Sequence, residues 1–258
     1  MNNLGLLNED KIQITLNNAR YFNLSNHWKG CIQLMFGASV VSFFNRFKRL
    51  ECSKTTNFIK PDIKVSYLDR TKYVSIKGGK CKCLHMEQLK SFIIYLLDNG
   101  ISKRTIETII LCHFGDGTLD GSGAVRHDYH EVFQMYKARV IEANKELNQN
   151  IEFVKKTLDR AVFQGVDPEA PRADFIYYGD EEFGTLVAYQ QVYKYIERKP
   201  GNWSFYENLH IGPLIIRPHG RYAHKEVVSE KRHNEIQLNW PHLQEDLQYI
   251  VKNYGFTI

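Results

Sequence analysis

Two short runs of alternating apolar and polar residues flank a turn, and they constrain the fold more than any other feature. The runs are DIKVSYL and KYVSIK, and DRTK connects them. Because successive side chains of a strand point to opposite faces, this pattern predicts an antiparallel hairpin. Asp62 opens the first strand, and Ser75 and Lys77 share one face of the second. We therefore expect Asp62 and Lys77 near each other at one end, followed by the pattern-breaking Gly78 and Gly79.

Stretches with helical periodicity surround this hairpin. The clearest is MEQLKSFIIYLLDNG (86–100), which ends in Asn-Gly, and a helix is also predicted over most of residues 29–50. Further predicted helices are SKRTIETIILCHF, HEVFQMYKARVIEANKELN, IEFVKKTLDRAVFQG and LQEDLQYIVKNYG. Predicted strands are ADFIYYG, NLHIGPLIIRPH and EIQLNW, while GTLVAYQQVYKYIERK fits either type. This order predicts a mixed α/β layered protein, and no nucleotide-binding glycine motif occurs.

The composition is that of a folded protein in a reducing compartment. Of its 258 residues, 43% are hydrophobic and 24% charged, which suffices for a core without disulfides. The five cysteines are an odd number, which favours free thiols. There is neither a signal-peptide pattern nor an apolar run of about 18 residues, so we expect a cytoplasmic protein without a membrane partner. The net charge of +5 permits a nucleic-acid partner without requiring one.

Asp62 and Lys77 carry the chemical hypothesis. A carboxylate can bind Mg²⁺ through oxygen. A lysine can orient an attacking water molecule and offset the charge of a phosphate. Metal-assisted hydrolysis of a phosphodiester needs these groups on adjacent strands. The same residue types are common in ordinary surface hairpins, so the pattern alone is a weak signal and the alternative is a structural hairpin on a binding protein. The preceding amphipathic helix, the glycine break and the His85, Glu87 and Gln88 cluster strengthen the nuclease interpretation.

The hairpin resembles the active-site motif of the PD-(D/E)xK nuclease superfamily, which includes many type II restriction endonucleases. Pro61 and Asp62 match the first part of the motif, and Ser75-Ile76-Lys77 matches the second. Gln88 resembles a glutamine that lies near the active site on the next helix in several branches. The resemblance covers roughly residues 30–100. It implies a restriction-endonuclease-like α/β/α core with a mixed central sheet and Mg²⁺-dependent cleavage of DNA.

Ser75 departs from the family, which has Asp or Glu at this position. A serine carries no charge and is a poor ligand for Mg²⁺, so a second acid is needed elsewhere. Glu87, expected in the helix after the glycines, is the preferred candidate. Glu51, expected at the end of the first helix, is the alternative or a helper. The predicted catalytic residues are Asp62, Lys77, Glu87, Glu51, Ser75 and Gln88, with Asp62 and Glu87 as metal ligands.

A basic segment near the C-terminal end, RPHGRYAHKEVVSEKRH (217–233), predicts contact with DNA. Its cations suit phosphates, and its arginines could read guanine edges. A glutamine in the following strand could reach an adenine edge, or it could be a buried polar residue of the sheet. A run of charges is also the normal composition of a solvated surface. The predicted DNA contacts are Arg217, Arg221, Lys225, Lys231, Arg232 and Gln237.

Three further groups of potential metal ligands give weaker signals. CKCLH (81–85) lacks the second pair of ligands that a structural zinc site needs. GDGTLDGSG (115–123) does not supply the acids of a calcium loop and is either a glycine-rich turn or a loop that touches DNA. His113, His127 and His130 could form a cluster with Glu131, although ordinary polar histidines are the simpler interpretation.

Taken together, the sequence predicts a nuclease core in residues 1–114 and a DNA-recognition extension of it in residues 115–258. The predicted reaction is sequence-specific, Mg²⁺-dependent hydrolysis of DNA. The predicted partners are double-stranded DNA, a second copy of the chain if the target is palindromic, and a cognate DNA methyltransferase, which restriction enzymes imply. The first alternative is a non-catalytic nucleic-acid-binding protein on an inactivated nuclease fold, and the second is a protein-interaction module. The choice between DNA and RNA stays open.

Overall fold

The predicted hairpin forms part of a five-stranded mixed sheet. The computed structural model describes residues 4–41, 45–55, 59–78, 83–199, 203, 207–219 and 233–255. Across the sheet the strands are β1 (Leu50–Lys54), β2 (Ile63–Tyr67), β3 (Arg70–Lys77), β5 (Phe175–Gly179) and β6 (Gly184–Ala188). β3 and β5 are parallel, and the other neighbours are antiparallel. Ile63 pairs with Val74 and Tyr67 with Arg70, so the predicted hairpin is confirmed. The turn expected at DRTK is wrong, because Leu68 and Asp69 form it and Arg70 already belongs to β3.

A second sheet of four strands is antiparallel throughout. Its order is β4 (Cys83–Gln88), β9 (Glu235–Asn239), β8 (Leu214–Pro218) and β7 (His210–Ile211). The helices are α1 (Leu4–Leu16), α2 (Asn26–Phe36), α3 (Leu89–Asp98), α4 (Lys103–Phe114), α5 (Tyr129–Gln149), α6 (Ile151–Leu158), α7 (Tyr189–Arg198) and α8 (Leu243–Tyr254). These elements confirm the predicted mixed α/β class.

The chain divides into two compact units. The first contains Met1–Cys81, Leu158–Tyr195 and Leu243–Ile258, and includes the five-stranded sheet. The second contains Lys82–Thr157 and Ile196–His242, and includes the four-stranded sheet. Each unit takes residues from both sides of residue 115, where the sequence placed the boundary between nuclease core and extension.

Helices α1 and α2 share a core with one face of the five-stranded sheet. Ile12 and Leu16 of α1 and Trp28 and Ile32 of α2 are at most 2% exposed. They pack with alternate strand residues, which include Ile63, Val65, Tyr67, Val74 and Ile76. This burial of apolar surface fixes the strand register, because a one-residue slip would turn every core side chain to the other face.

Two predicted helix boundaries are wrong. The helix expected over most of residues 29–50 ends at Phe36, because Gly37 adopts a φ of +89° and its N–H bonds to the Gln33 carbonyl. β1 begins at Leu50, so Glu51 lies on a strand rather than at the end of a helix. The helix expected from Met86 begins only at Leu89, because the preceding residues pair with β9.

In the part of the chain that the structure describes, no helix has the length and apolar character needed to cross a membrane. Cys31, Cys52 and Cys112 are free thiols and are buried. Burial raises the pKa of each of these three thiols to about 12, so they pack as neutral, apolar side chains. A cytoplasmic location stays a prediction.

Candidate active site

Asp62 and Lys77 meet at the end of the β2–β3 pair. Asp62 immediately precedes β2, and its backbone N–H donates to the Val74 carbonyl over 2.9 Å, which continues the ladder by one residue. The Lys77 ammonium lies 3.1 Å from Asp62 Oδ2. The backbone N–H of Ile76 donates to the same oxygen over 2.5 Å. With the longer bond from the Ser75 hydroxyl, one charged and two neutral donors hold the carboxylate.

The strand geometry explains this convergence. Ile63 pairs with Val74, so Asp62 lies opposite Ser75. Residues directly opposite each other in an antiparallel pair share a face, and so do residues two apart on one strand. Asp62, Ser75 and Lys77 therefore share the face opposite to that of Val74 and Ile76. Their side chains are placed by the same alternation that buries Val74 in the core.

Ser75 is completely buried beside Asp62. Its exposed fraction is 0%, and its hydroxyl donates to Asp62 Oδ2 over 3.4 Å, a long hydrogen bond. Ser75 therefore supports Asp62 and supplies no second acid.

A second carboxylate at this site, Glu9, comes from α1. Glu9 lies one turn before Ile12 and two turns before Leu16, so all three lie on the helix face that meets the sheet. Burial, and then the negative charge of Asp62, raise the pKa of Glu9, while the ammonium groups of Lys54 and Lys77 lower it. Glu9 and Asp62 are thus close enough for mutual repulsion.

Lys54 adds a second cation. It is the last residue of β1, and its ammonium lies 3.7 Å from Glu9 Oε2 and 2.7 Å from Asp10 Oδ1. The Glu9 and Asp62 side chains are each 19% exposed, and Lys54 is 35% exposed. Two acids and two lysines therefore form a cluster that solvent or a ligand can reach.

Glu9 was absent from the residues predicted for the site, because α1 lacks a clear amphipathic pattern. Leu6, Leu7 and Ile14 are between 46% and 71% exposed, so apolar residues occur all around this helix. The spacing of Glu9, Ile12 and Leu16 would place them on one helix face, but the exposed apolar residues obscure this pattern in the sequence. Sequence alone also gave no reason to place residue 9 beside residue 62.

Glu51, the helper acid that the sequence proposed, lies further along the sheet from Asp62. Glu51 is exposed and pairs with Ser66 on β2, four residues along that strand from Asp62. At the usual rise of a strand, four residues span about 13 Å. The structure therefore does not bring Glu51 to Asp62, and its predicted helper role is not supported.

Glu87 and Gln88 lie on β4 of the second unit. Glu87 is 5% exposed in its side chain, and its Oε1 lies 3.1 Å from His85 Nε2. Gln88 ends the strand, and its amide donates to Glu235 Oε1 over 3.3 Å. Their predicted roles beside Asp62 stay predictions.

The predicted DNA contacts fall on the second sheet and beyond it. Arg217 of β8 is exposed, lies directly opposite Gln237 of β9, and has its guanidinium 5.6 Å from the centre of the Tyr129 ring. Gln237 contacts the sulfur of Met86 over 3.5 Å. The remaining four, which lie outside the described residues, are Arg221, Lys225, Lys231 and Arg232.

The weaker metal signals have structural explanations. Asp116 folds its own loop by accepting hydrogen bonds from the Thr118 and Gly123 backbone N–H groups. Glu131 lies 3.3 Å from His127 and also takes part in the capping box that begins α5. Among the described residues, no three His, Cys, Asp or Glu side chains converge in a group able to hold a metal ion. Cys81 lies outside those residues.

Glu9 and Asp62 nevertheless fit Mg²⁺. This ion is usually bound by one or two protein carboxylates, with water and substrate phosphates completing its shell. In the described part of the chain, the hydrogen bonds of the Asp62 carboxylate all go to Oδ2, which leaves Oδ1 available. Burial and then the charge of Asp62 raise the pKa of Glu9, and a divalent cation would offset both effects.

Comparison with known proteins adds no relative: the chain matches no protein-family model and no curated protein. Function is therefore inferred from the site and from the sequence motif.

Proposed function

We propose that the protein hydrolyses phosphodiester bonds of DNA with Mg²⁺, at a specific sequence, in the manner of a type II restriction endonuclease. The observation that carries this proposal is the convergence of Glu9, Asp62 and Lys77 at one end of a mixed sheet. Two carboxylates can hold Mg²⁺, and a lysine beside them can orient the attacking water and offset phosphate charge. The five-stranded mixed sheet is also what a restriction-endonuclease-like core would have.

Glu9 and Asp62 would hold the metal ion. When bound, Mg²⁺ supplies charge stabilisation and a water molecule of lowered pKa. The acid that the family motif places at Ser75 would thus be replaced by one from α1. Glu9 would thus supply the second acid that Ser75 cannot provide.

Lys77 would position the attacking water and offset charge on the phosphate. Its ammonium is fixed by the 3.1 Å contact with Asp62, so little reorganisation is needed when substrate binds. Lys54 is more exposed and lies between Glu9 and Asp10, where it would attract the phosphate backbone.

A second candidate is the non-catalytic nucleic-acid-binding protein. Two features favour it: Ser75 replaces an acid, and Asp62 Oδ2 is already occupied by Lys77 and by the Ile76 N–H. In this case Asp62 and Lys77 would be a structural ion pair. DNA affinity would then persist without cleavage.

Cleavage assays with matched variants test the choice. Purified protein is incubated with unmethylated DNA or with RNA, with and without Mg²⁺, beside Asp62→Asn, Lys77→Met and Glu87→Ala. We expect discrete DNA fragments from the wild type and none from Asp62→Asn or Lys77→Met. Retained binding without cleavage would support the second candidate, and an inactive Glu87→Ala would return that residue to the site.

The proposed partners follow from this function. They are double-stranded DNA, a second copy of the chain at a palindromic target, and a methyltransferase that protects the host sequence. Arg217 and Gln237 would contribute to recognition, since arginine and glutamine suit guanine and adenine edges.

A further inference from the structure

The first turns of α1 are tied to the hairpin that joins β5 and β6. The Asn8 side-chain amide donates to the Gly179 carbonyl over 2.8 Å in a partly buried position. One turn further, Lys11 forms a 2.6 Å ion pair with Glu181, but Lys11 is 61% exposed. Exposed pairs contribute little to stability. The Asn8 bond is therefore the more effective of the two ties.

This bond lies directly against the residue that follows Lys77. A Cβ atom added to Gly78 would lie 2.9 Å from both Asn8 Nδ2 and the Gly179 carbonyl oxygen. Such contacts are too short, so only glycine allows α1, β3 and β5 to meet here. The Asn8–Gly179 bond therefore lies against Gly78, the residue that follows Lys77. On α1, Asn8 directly precedes Glu9.

The acceptor side of the bond is itself held in place. Trp28 Nε1 donates to the Glu181 carbonyl over 2.8 Å, and the Tyr177 hydroxyl donates to the Asp180 carbonyl over 2.7 Å. The Asp180 carboxylate accepts the Phe183 N–H over 2.9 Å and closes the turn. Gly179 therefore presents its carbonyl from a hairpin anchored on α2.

We propose that Asn8 is a positioning residue, whose bond to Gly179 holds the first turns of α1 so that the Glu9 carboxylate faces Asp62. This proposal rests on the proposed function, since the orientation of Glu9 matters for catalysis only if the two acids act together. Ile12 and Leu16 anchor the rest of the helix in the core. The turn that carries Glu9 lies beyond them, where helices fray unless a tertiary contact holds them.

A merely structural role for Asn8 makes a different prediction. If Asn8 only stabilises the helix end, its removal lowers stability, and any change in cation affinity is the same with and without Glu9. If it acts through Glu9, its effect on cation binding disappears once Glu9 is removed. A double-mutant cycle separates these two cases.

The experiment uses the full chain and four variants: Asn8→Ala, Glu9→Gln, the double variant, and Asn17→Ala. Asn17 is the matched control because it bonds to the Cys52 N–H at the other end of α1. Mn²⁺ alone, titrated into metal-free protein and followed by the EPR signal of the free ion, gives the affinity. Amide hydrogen exchange over residues 9–12 reports the order of the first turns without any metal.

We expect Asn8→Ala to weaken Mn²⁺ binding about tenfold, because removal of a group that supports a metal ligand typically has an effect of this size. In the Glu9→Gln background the same change should have no further effect, and Asn17→Ala should bind as the wild type does. Exchange over residues 9–12 should be faster in the two variants that lack Asn8, and unchanged in Glu9→Gln and Asn17→Ala. Unchanged exchange in Asn8→Ala, or an equal decrease in affinity with and without Glu9, would overturn the proposal.

The proposed function and the proposed role of Asn8 can fail separately. A wild type that binds no Mn²⁺ and cleaves no DNA would refute the proposed function. The exchange measurement then decides alone whether Asn8 holds the turn of Glu9.

Discussion

Lys77 and Asp62 form an ion pair of 3.1 Å across the end of the β2–β3 pair. Thirteen positions separate Asp62 from Ser75, and the hairpin register brings these two residues opposite each other with Lys77 on the same face. Glu9 of α1 is the third member of this group, and its pKa is raised by burial and then by the negative charge of Asp62. The acid pair and the lysine thus come from three different elements of one unit.

Asp62→Asn is expected to abolish cleavage while leaving the fold intact. The amide oxygen can still accept the Ile76 N–H, so the free energy of unfolding should fall by no more than about 1 kcal/mol. Asp62→Ala removes the acceptor and leaves that N–H without a partner, which should lower the free energy of unfolding by about 1–3 kcal/mol. Urea denaturation and cleavage assays measure the two effects. Full activity of Asp62→Asn would exclude Asp62 as a metal ligand.

Ser75→Asp is expected to create a third acid at the site. Because Ser75 is fully buried beside Asp62, the new carboxylate should lower stability by several kcal/mol without metal, of which about 2 kcal/mol should return with saturating Mg²⁺. Thermal denaturation with and without Mg²⁺ measures this, and Ser75→Asn is the uncharged control. Equal behaviour of the Asp and Asn variants would show that no cation binds there.

Alanine substitutions at two glycines of the first unit should change the stability of the protein in opposite directions. Gly30 lies within α2 with no atom within 4 Å of an added Cβ, so Gly30→Ala should stabilise the protein by about 0.5–1 kcal/mol. Gly179 has a φ of +153°, and its Cβ would lie 2.2 Å from the Phe183 carbonyl oxygen. Gly179→Ala should therefore destabilise by about 2 kcal/mol or more. Denaturant unfolding compares them, and equal effects would contradict the hairpin geometry.

His113 should make stability fall at acidic pH. Burial lowers the pKa of His113 from 6.5 to about 4, while its Nε2 bonds to the His233 carbonyl over 2.8 Å. The unfolded chain therefore binds a proton between pH 6.5 and 4 that the folded chain does not. This contribution to stability is complete above pH 6.5 and declines as the pH falls toward 4, by up to about 3 kcal/mol.

Urea denaturation from pH 7.5 to 4 measures this dependence. The variant His113→Gln should show a shallower slope over that range, whereas substitution of the exposed His130 by Gln should leave the slope unchanged. A wild-type slope that survives in His113→Gln would assign the dependence to other groups.

Arg217 should contribute to DNA affinity if the second unit recognises DNA. If its guanidinium binds a phosphate, Arg217→Ala should reduce the slope of log affinity against log salt by about 1. If it binds a base edge, the substitution should instead relax specificity at one position of the target. Salt-dependent fluorescence anisotropy with two sequences separates these outcomes. The control is Lys103→Ala, because the Lys103 side chain, at the start of α4 in the same unit, is 88% exposed.

The sequence predicted the parts of the fold that depend on local pattern. The alternation in residues 62–77 predicted β2, β3 and the Asp62–Lys77 contact. It did not predict the register, because the turn was expected at DRTK and lies at Leu68-Asp69. The strand ADFIYYG and the strand EIQLNW were also found as β5 and β9. These strands have strong alternation or are rich in β-branched and aromatic residues. Residues that favour turns lie at their ends.

What the sequence did not predict depends on contacts distant in the chain. Glu9 reaches Asp62 only because α1 packs on the sheet, and the exposed Leu6, Leu7 and Ile14 hide the face on which Glu9 lies. Glu51 was misplaced because the apolar run before it was interpreted as a helix, whereas Gly37 ends α2 and β1 follows. Met86–Gln88 join a strand because β9, about 150 residues later, pairs with them.

The most direct test of the central claim is single-turnover DNA cleavage in Mg²⁺ by the wild type, Glu9→Gln and Glu51→Gln. If Glu9 and Asp62 form the acid pair, Glu9→Gln should cleave at least about a hundredfold more slowly, while Glu51→Gln should cleave as the wild type does. Unimpaired cleavage by Glu9→Gln, with an inactive Glu51→Gln, would contradict the assignment of the second acid to α1.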